Sequence, residues 1–387
     1  MTVPSVNWNY PTAIKAGPGR IKELPDGCRA LGMTRPLLVT DPGLAALSMV
    51  GGAVAACRQA GLECGLFHEI KGNPTGRNVD DGVAAYRQGG HDGVIALGGG
   101  SALDAAKAIA LMAGQKRPLW DFEDVGENHL RVDVAGMAPV VAVPTTAGTG
   151  SEVGRASVIT DESAEVKRII FHARMLPAIV ILDPELTVGL PPGITAATGM
   201  DALSHNLEAY CSPFFHPMAA GIAIEGMRMI REYLPRAVAD GSDLQARQQM
   251  LVASSMGATA FQRGLGAMHA LAHPLGALYD THHGTLNAIL MPYVLKANQQ
   301  AVAPRLEALA RYLDLPGQGS GAVLDWVLAL RESLGIPHTL AEIGIDESQA
   351  ERVGRMAVED PSAGTNPVAY TQQQYADLFR AAIRGNL

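Results

Sequence analysis

The apolar positions change their period near the middle of the chain. Up to about residue 188, short apolar runs alternate with stretches of helical period. The runs at 37–40, 62–67, 93–97, 140–143 and 179–182 read as strands, and 93–97 is apolar throughout, as in a parallel strand buried on both faces. Segments 43–60, 79–88 and 102–112 between them have helical period. This alternation predicts a doubly wound α/β domain over 1–188, with turn signals around Gly17 and Gly19 and a short amphipathic segment in its first 36 residues. Beyond Pro191 and Pro192 strand patterns almost vanish. Helices are predicted at 193–210, 217–239, 245–262, 265–274, 301–313, 319–334 and 349–357, so 189–387 reads as an all-helical domain.

Composition narrows the function classes. The chain has 387 residues, of which 48% are hydrophobic and 18% charged, enough for large cores. A net charge of −8 with no block of lysine or arginine argues against a nucleic-acid partner. No run of 18 apolar residues and no basic-then-apolar leader occurs, so no membrane role and a cytoplasmic, soluble protein are expected. Cys28, Cys57, Cys64 and Cys211 form no C-x-x-C pair and read as reduced thiols.

The densest chemistry lies at 268–284, where His269, His273, His282 and His283 fall in one short stretch. His269 and His273 are four apart and share a helix face. Pro274 and Gly276 predict an end or kink there, leaving His282 and His283 on a loop. Upstream, Asp201 and His205 are also four apart. One carboxylate and several imidazoles at helical spacing suit a divalent transition metal bound through nitrogen and oxygen. The competing reading is helix packing with histidines hydrogen-bonded across a cleft.

A second group of signals points to a nucleotide. Gly98, Gly99, Gly100 and Ser101 stand where a strand meets a helix, where bare backbone and a helix N-terminus can take a phosphate. Ser101 is placed to cap that helix, and Asp104 falls in its first turn. The pattern is not G-x-G-x-x-G, and a glycine-rich tight turn explains it equally. Asp41, ending the first clear strand, suits ribose hydroxyls or an Asp-Pro-Gly helix cap. Thr145, Thr146, Thr149 and Ser151 lie in a strand-to-loop segment that reads either as a ligand loop or as a plain polar one.

In combination these motifs resemble the iron-containing (group III) alcohol dehydrogenases along nearly the whole chain. The matching stretches are GGGSALD at 98–104, PTTAGTGSE at 144–152, DPEL at 183–186, Pro191 through GMDALSH at 199–205, HALAHPLG at 269–276 and HHG at 282–284. The resemblance implies the fold shared with dehydroquinate synthase: a nucleotide-binding α/β domain followed by a helical, metal-binding one. It implies Asp201, His205, His269 and His283 as metal ligands. His283 rather than His282 is in register, because it precedes Gly284 directly and lies fourteen after His269. It makes His273 a non-ligand histidine near the nicotinamide, able to relay a proton. It places the NAD pyrophosphate on Gly98, Gly99, Gly100 and Ser101 with Asp104 following, and the cofactor groove along Thr145, Thr146 and Thr149. Lys167 would reach the ribose region, and Asp41 would favour NAD over NADP. One departure is Val368, after Asn366 and Pro367, where many members carry arginine.

The activity implied is hydride transfer between NAD(H) and a small primary alcohol or aldehyde, assisted by Fe²⁺, with Zn²⁺ able to take the same ligands. Segments 193–225, with SPFFHP at 212–217, and 169–173 look like those of members acting on 4-hydroxybutyrate and succinic semialdehyde. Simple alcohols and diols are alternatives. A carboxylate substrate would need a cation near the metal, for which Arg155 and Arg263 are candidates. The family also implies a homodimer. Two rivals are a sugar-phosphate cyclase-like lyase of the same fold, which typically has a glutamate among its ligands, and a non-catalytic metal- or nucleotide-binding protein.

Overall fold

The computed structural model describes residues 6–8 and 12–387, with side chains from Thr12 onward. Of the predicted 1–36 segment, residues 1–5 and 9–11 lie outside the described residues. The chain divides into two compact units: Met1–Thr146 with Gly150–Gly189, and Leu190–Leu387 with Ala147–Thr149.

Among its described residues the first unit holds nine strands: β1 Val6–Trp8, β2 Ala13–Ala16, β3 Pro36–Val39, β4 Gly65–Phe67, β5 Gly93–Gly98, β6 Val140–Pro144, β7 Ala156–Asp161, β8 Val166–Phe171 and β9 Ile179–Leu182. Seven form one sheet in the order β1-β2-β9-β6-β5-β3-β4, parallel except for β1 against β2. β5 and β6 are buried at every position, which explains their unbroken apolar runs. β7 and β8 form a separate antiparallel hairpin, which the apolar pattern did not predict. The helices are α1 Leu24–Ala30, α2 Pro42–Ala45, α3 Ser48–Gln59, α4 Gly76–Gln88 and α5 Gly100–Met112.

The strand order has one functional consequence. From β3 the chain moves outward to β4, then returns to place β5 on the other side of β3. The order therefore reverses between β3 and β5, and doubly wound sheets bind ligands outside the carboxyl ends of the strands at such a point. Asp41 follows β3 and the glycine turn follows β5.

The second unit holds α6 Pro192–Cys211, α7 Pro217–Ala239, α8 Leu244–Ala260, α9 Ala267–Tyr279, α10 His283–Tyr312, α11 Gly321–Ser333, α12 Ala350–Glu359 and α13 Gln372–Arg384 around one apolar core. Three expectations change. α9 runs through Pro274 to Tyr279 and stops at Asp280, whose φ of 49° is left-handed. Its residues from Ala267 to Gly276 are all buried, and that packing outweighs the hydrogen bond lost at the proline. The helix foreseen at 301–313 begins eighteen residues earlier, at His283. Its first turns are buried on almost every side from Leu286 to Leu295, so no amphipathic period marks them. His283 is thus the first residue of a helix and His282 its N-cap, not members of a loop. α13 was not foreseen either.

Candidate functional site

Three helices of the second unit bring four ligand-type side chains together. Asp201 and His205 lie one turn apart on α6, His269 is in the first turn of α9, and His283 opens α10. Each offers one ligand atom, and the four atoms lie within 4.8 Å of one another. His205 Nε2 is 4.0 Å and His283 Nε2 3.7 Å from Asp201 Oδ1. Asp201, His205 and His269 are buried, and His283 is partly open to solvent. Gly284 permits this approach: a Cβ there would stand 2.4 Å from the Ala197 carbonyl oxygen on α6. Burial holds the His205 pKa down to about 4 despite the Asp201 carboxylate, so its imidazole is neutral and able to donate a lone pair.

Buried carboxylates stand behind two of the histidines. Glu208 Oε2 accepts from His269 Nδ1 at 2.6 Å and from the Gly266 N–H at 2.9 Å, while Oε1 accepts from the Met268 N–H at 2.7 Å. With Nδ1 carrying the proton, His269 presents Nε2 to the cluster. Burial opposes a charge on His269, but the Glu208 hydrogen bond and charge, with Asp201 and Asp360, raise its pKa above the usual value. His273 Nδ1 likewise lies 2.8 Å from Asp360 Oδ2. The His273 ring stacks on His283 at 5.5 Å and 12°, next to the cluster but outside it. Glu208 was missed in the sequence, although it stands seven after Asp201 and three after His205 on the same helix face.

Asn287 completes the surroundings. Its Nδ2 is 2.8 Å from Asp201 Oδ1, 3.2 Å from His269 Nε2 and 3.1 Å from His283 Nε2, while its buried Oδ1 meets no donor. An unmet buried polar atom costs about 1–3 kcal/mol. One carboxylate oxygen, three imidazole nitrogens and an orphaned amide oxygen beside them fit a divalent cation. Among the described residues no other group of three or more such side chains is gathered this way.

In the first unit the nucleotide signals gather at neighbouring strand ends. Gly98 has φ 151°, and a Cβ there would be 2.7 Å from that of Ala102. Gly99 is the N-cap of α5 and makes no side-chain cap, so Ser101 lies inside the helix and does not cap it. Bare glycines at Gly98, Gly99 and Gly100 thus lead into a helix N-terminus whose N–H groups suit an anion. Thr145 follows β6, and its N–H donates to the Gly98 carbonyl at 2.9 Å. The Thr146 side chain lies 3.5 Å from where a Gly99 Cβ would stand. Asp41 caps α2 through the Leu44 N–H, which realises the capping alternative with one of its two oxygens.

Other assignments shift. Asp104 sits beyond the first turn of α5, and its oxygens accept from Ser151 Oγ and the Val158 N–H, with Lys107 Nζ at 3.2 Å. Through the Val158 N–H it ties α5 to β7. Lys167 Nζ donates to Asn73 Oδ1 at 2.8 Å. Thr149 is grouped with the second unit, whereas Thr145 and Thr146 are grouped with the first. Each arginine proposed for a carboxylate substrate has a contact within its own unit. Arg155 lies over the Phe171 ring, and Arg263 Nε donates to the Phe214 carbonyl. Asn366 holds α9 by accepting from the Ala267 N–H at 3.1 Å, a role for this asparagine that does not need an arginine at Val368. The four cysteines are buried free thiols, and no helix among the described residues is long and apolar enough to cross a membrane.

Comparisons with known proteins agree with this geometry. The iron-containing alcohol dehydrogenase family matches residues 11–184, and the Fe-containing alcohol dehydrogenase C-terminal family matches 195–383. The chain is 40% identical to a 4-hydroxybutyrate dehydrogenase from Cupriavidus necator, over 97% of this chain and 99% of that one. It is 36% identical to an NAD-dependent methanol dehydrogenase from Bacillus methanolicus, over 97% and 100%. The solved structure of a 1,3-propanediol oxidoreductase superimposes with a TM-score of 0.90 at 35% identity, covering 99% of this chain and 100% of that one. A largely parallel sheet flanked by helices, a helical unit that gathers an aspartate and three histidines, and matches spanning both halves make this chain a member of the iron-containing alcohol dehydrogenase family.

Proposed function

We propose that the chain is a metal-dependent, NAD(H)-linked dehydrogenase of small primary alcohols, diols or ω-hydroxy acids, with 4-hydroxybutyrate the first substrate to test and Fe²⁺ the native metal. The convergence of Asp201, His205, His269 and His283 carries this reading. When bound, the cation would supply a Lewis acid for the substrate oxygen and the nicotinamide would exchange the hydride.

The chain's own residues do the rest. Asp201, His205, His269 and His283 hold the cation, and Glu208 fixes which nitrogen His269 presents. Asp360 fixes His273 in the same way, so His273 Nε2 is the atom that exchanges the hydroxyl proton. The bare turn at Gly98, Gly99 and Gly100, with Ser101, Thr145 and Thr146, takes the cofactor phosphates, while Asp41 meets the ribose. Glu208 faces His269 Nδ1 and two backbone N–H groups instead of joining the cluster, which supports the dehydrogenase over a lyase with a glutamate ligand.

An NAD(H)-coupled screen of alcohols, diols and ω-hydroxy acids, with iron-loaded protein and metal analysis, tests the proposal. Net NADH formation that chelation abolishes and Fe²⁺ restores is expected. Stoichiometric metal without turnover across the panel would overturn it. The resemblance also supports a homodimer, to be tested by light scattering.

A further inference from the structure

We propose that Asn366, oriented by Asn298, is a positioning residue: it supplies part of the N-terminal cap that α9 cannot carry itself, and so sets where His269 and His273 stand. The inference rests on the reading of His269 as a cation ligand and of His273 as the proton relay.

α9 begins at Ala267, after Gly266, an N-cap residue with no side chain to offer. None would fit there: a Cβ on Gly266 would stand 2.8 Å from both Asn366 Oδ1 and Glu208 Oε1. The acceptors for the first N–H groups therefore come from other elements. Glu208 takes those of Gly266 and Met268, and Asn366 Oδ1 takes that of Ala267 between them at 3.1 Å. His269 follows two residues later, and His273 one turn beyond it.

The Asn366 amide has one orientation. Its Oδ1 also accepts from Asn298 Nδ2 at 2.8 Å, while its Nδ2 donates to the Val368 carbonyl at 2.8 Å and to Asn298 Oδ1 at 3.0 Å. The Ala267 N–H can only donate and the Val368 carbonyl can only accept, so the backbone decides which end is oxygen. Both lone pairs and both protons of this buried amide are thereby used. Tyr370 Oη donates to Asn298 Oδ1 at 2.8 Å and fixes the second amide in turn. Asn298 lies on α10, the helix that His283 opens, so the pair ties the start of α9 to that helix. The chain just before Asn366 grips the same stretch twice more. Thr365 Oγ1 donates to the Leu265 carbonyl at 2.7 Å, and Asp360 meets His273 Nδ1. Side-chain tips lie about 5–6 Å from a helix axis, so turning α9 by about 10° would carry its histidines about 1 Å. A working site tolerates about half of that.

The test uses full-length protein loaded with Co²⁺ as the probe. Its d–d absorption reports donor geometry, chelator competition the affinity, and denaturant titration the stability. Asn366→Ala is expected to shift the absorption, weaken Co²⁺ about 10-fold and lower kcat. Asn298→Ala frees the Asn366 amide without removing its oxygen. It is expected to act in the same direction to a smaller degree, and it carries the test if Asn366→Ala does not fold. Asn366→Asp keeps the acceptor for the Ala267 N–H but sets an oxygen against the Val368 carbonyl. It is therefore expected to recover the native absorption while staying less stable than wild type. A merely structural role would make the spectrum follow stability, with Asn366→Asp no nearer wild type than Asn366→Ala. Native absorption and affinity in the alanine variants, or an absorption that stays shifted in Asn366→Asp, would overturn the inference and leave the four-residue site standing. Wild-type protein that binds no Co²⁺ would overturn both.

Discussion

Glu208 and His269 meet at 2.6 Å, a carboxylate from α6 against the imidazole that opens α9. The same carboxylate takes the Gly266 and Met268 N–H groups, so a single anion holds both the helix N-terminus and the histidine tautomer.

Glu208→Gln cannot accept from all three donors, because one end of its amide is itself a donor. Metal affinity should fall about 10- to 100-fold in chelator competition. Stability should fall by about 1–3 kcal/mol in denaturant titration, as a buried N–H loses its acceptor. Native metal affinity in this variant would refute the role.

His273→Ala should lower kcat by about 100-fold, the scale of general acid–base catalysis, while metal content stays near wild type. Asp360→Asn should lower kcat less, since it disturbs the orientation of His273 without removing the group. Rate measurements paired with metal analysis separate the cases. Loss of metal in step with rate would make His273 a ligand.

Asp41→Gly should relax cofactor choice, raising kcat/KM for NADP while lowering it for NAD. The cap lost with Asp41 costs only a few tenths of a kcal/mol when glycine replaces it, so the melting temperature should scarcely move. A preference for NAD that survives the change would confine Asp41 to capping α2.

Asp161, in the β7–β8 hairpin, accepts from Ser163, Ala164 and Arg168. The Ser163 hydroxyl, then Arg168, hold its pKa below the usual 3.8 against the effect of burial. Its unfolded pKa is therefore the higher one. The stabilisation is complete above about pH 4 and fades as pH falls through the lower folded value. Asp161→Asn should cost about 1–2 kcal/mol at pH 7, and the gap from wild type should shrink in acid. Urea titrations at pH 7 and pH 3 check both parts.

What could be read in advance depended on how local the signal is. β5 and the helix after it announced themselves because a strand buried on both faces is apolar throughout and ends at glycines. The four clustered side chains were legible because α6 spaces Asp201 and His205 one turn apart, while His269 and His283 needed the family register to be chosen from four histidines. Asp360 lies 87 residues from His273, and no spacing rule links them. The buried start of α10 carries no period to detect. α13, by contrast, opens with a capping box at Thr371 and Gln374 that a closer search for helix starts would have found.

The contact of Gly284 with the Ala197 carbonyl has a wider reach than its size. It sets the gap between α6, which carries Asp201 and His205, and α10, which carries His283, and no side chain there can yield to relieve a misfit. Even a single added methyl group would act as a spacer, moving His283 off its partners while leaving every donor present. Inactive variants of this protein that retain all four donors should therefore include substitutions at Gly284.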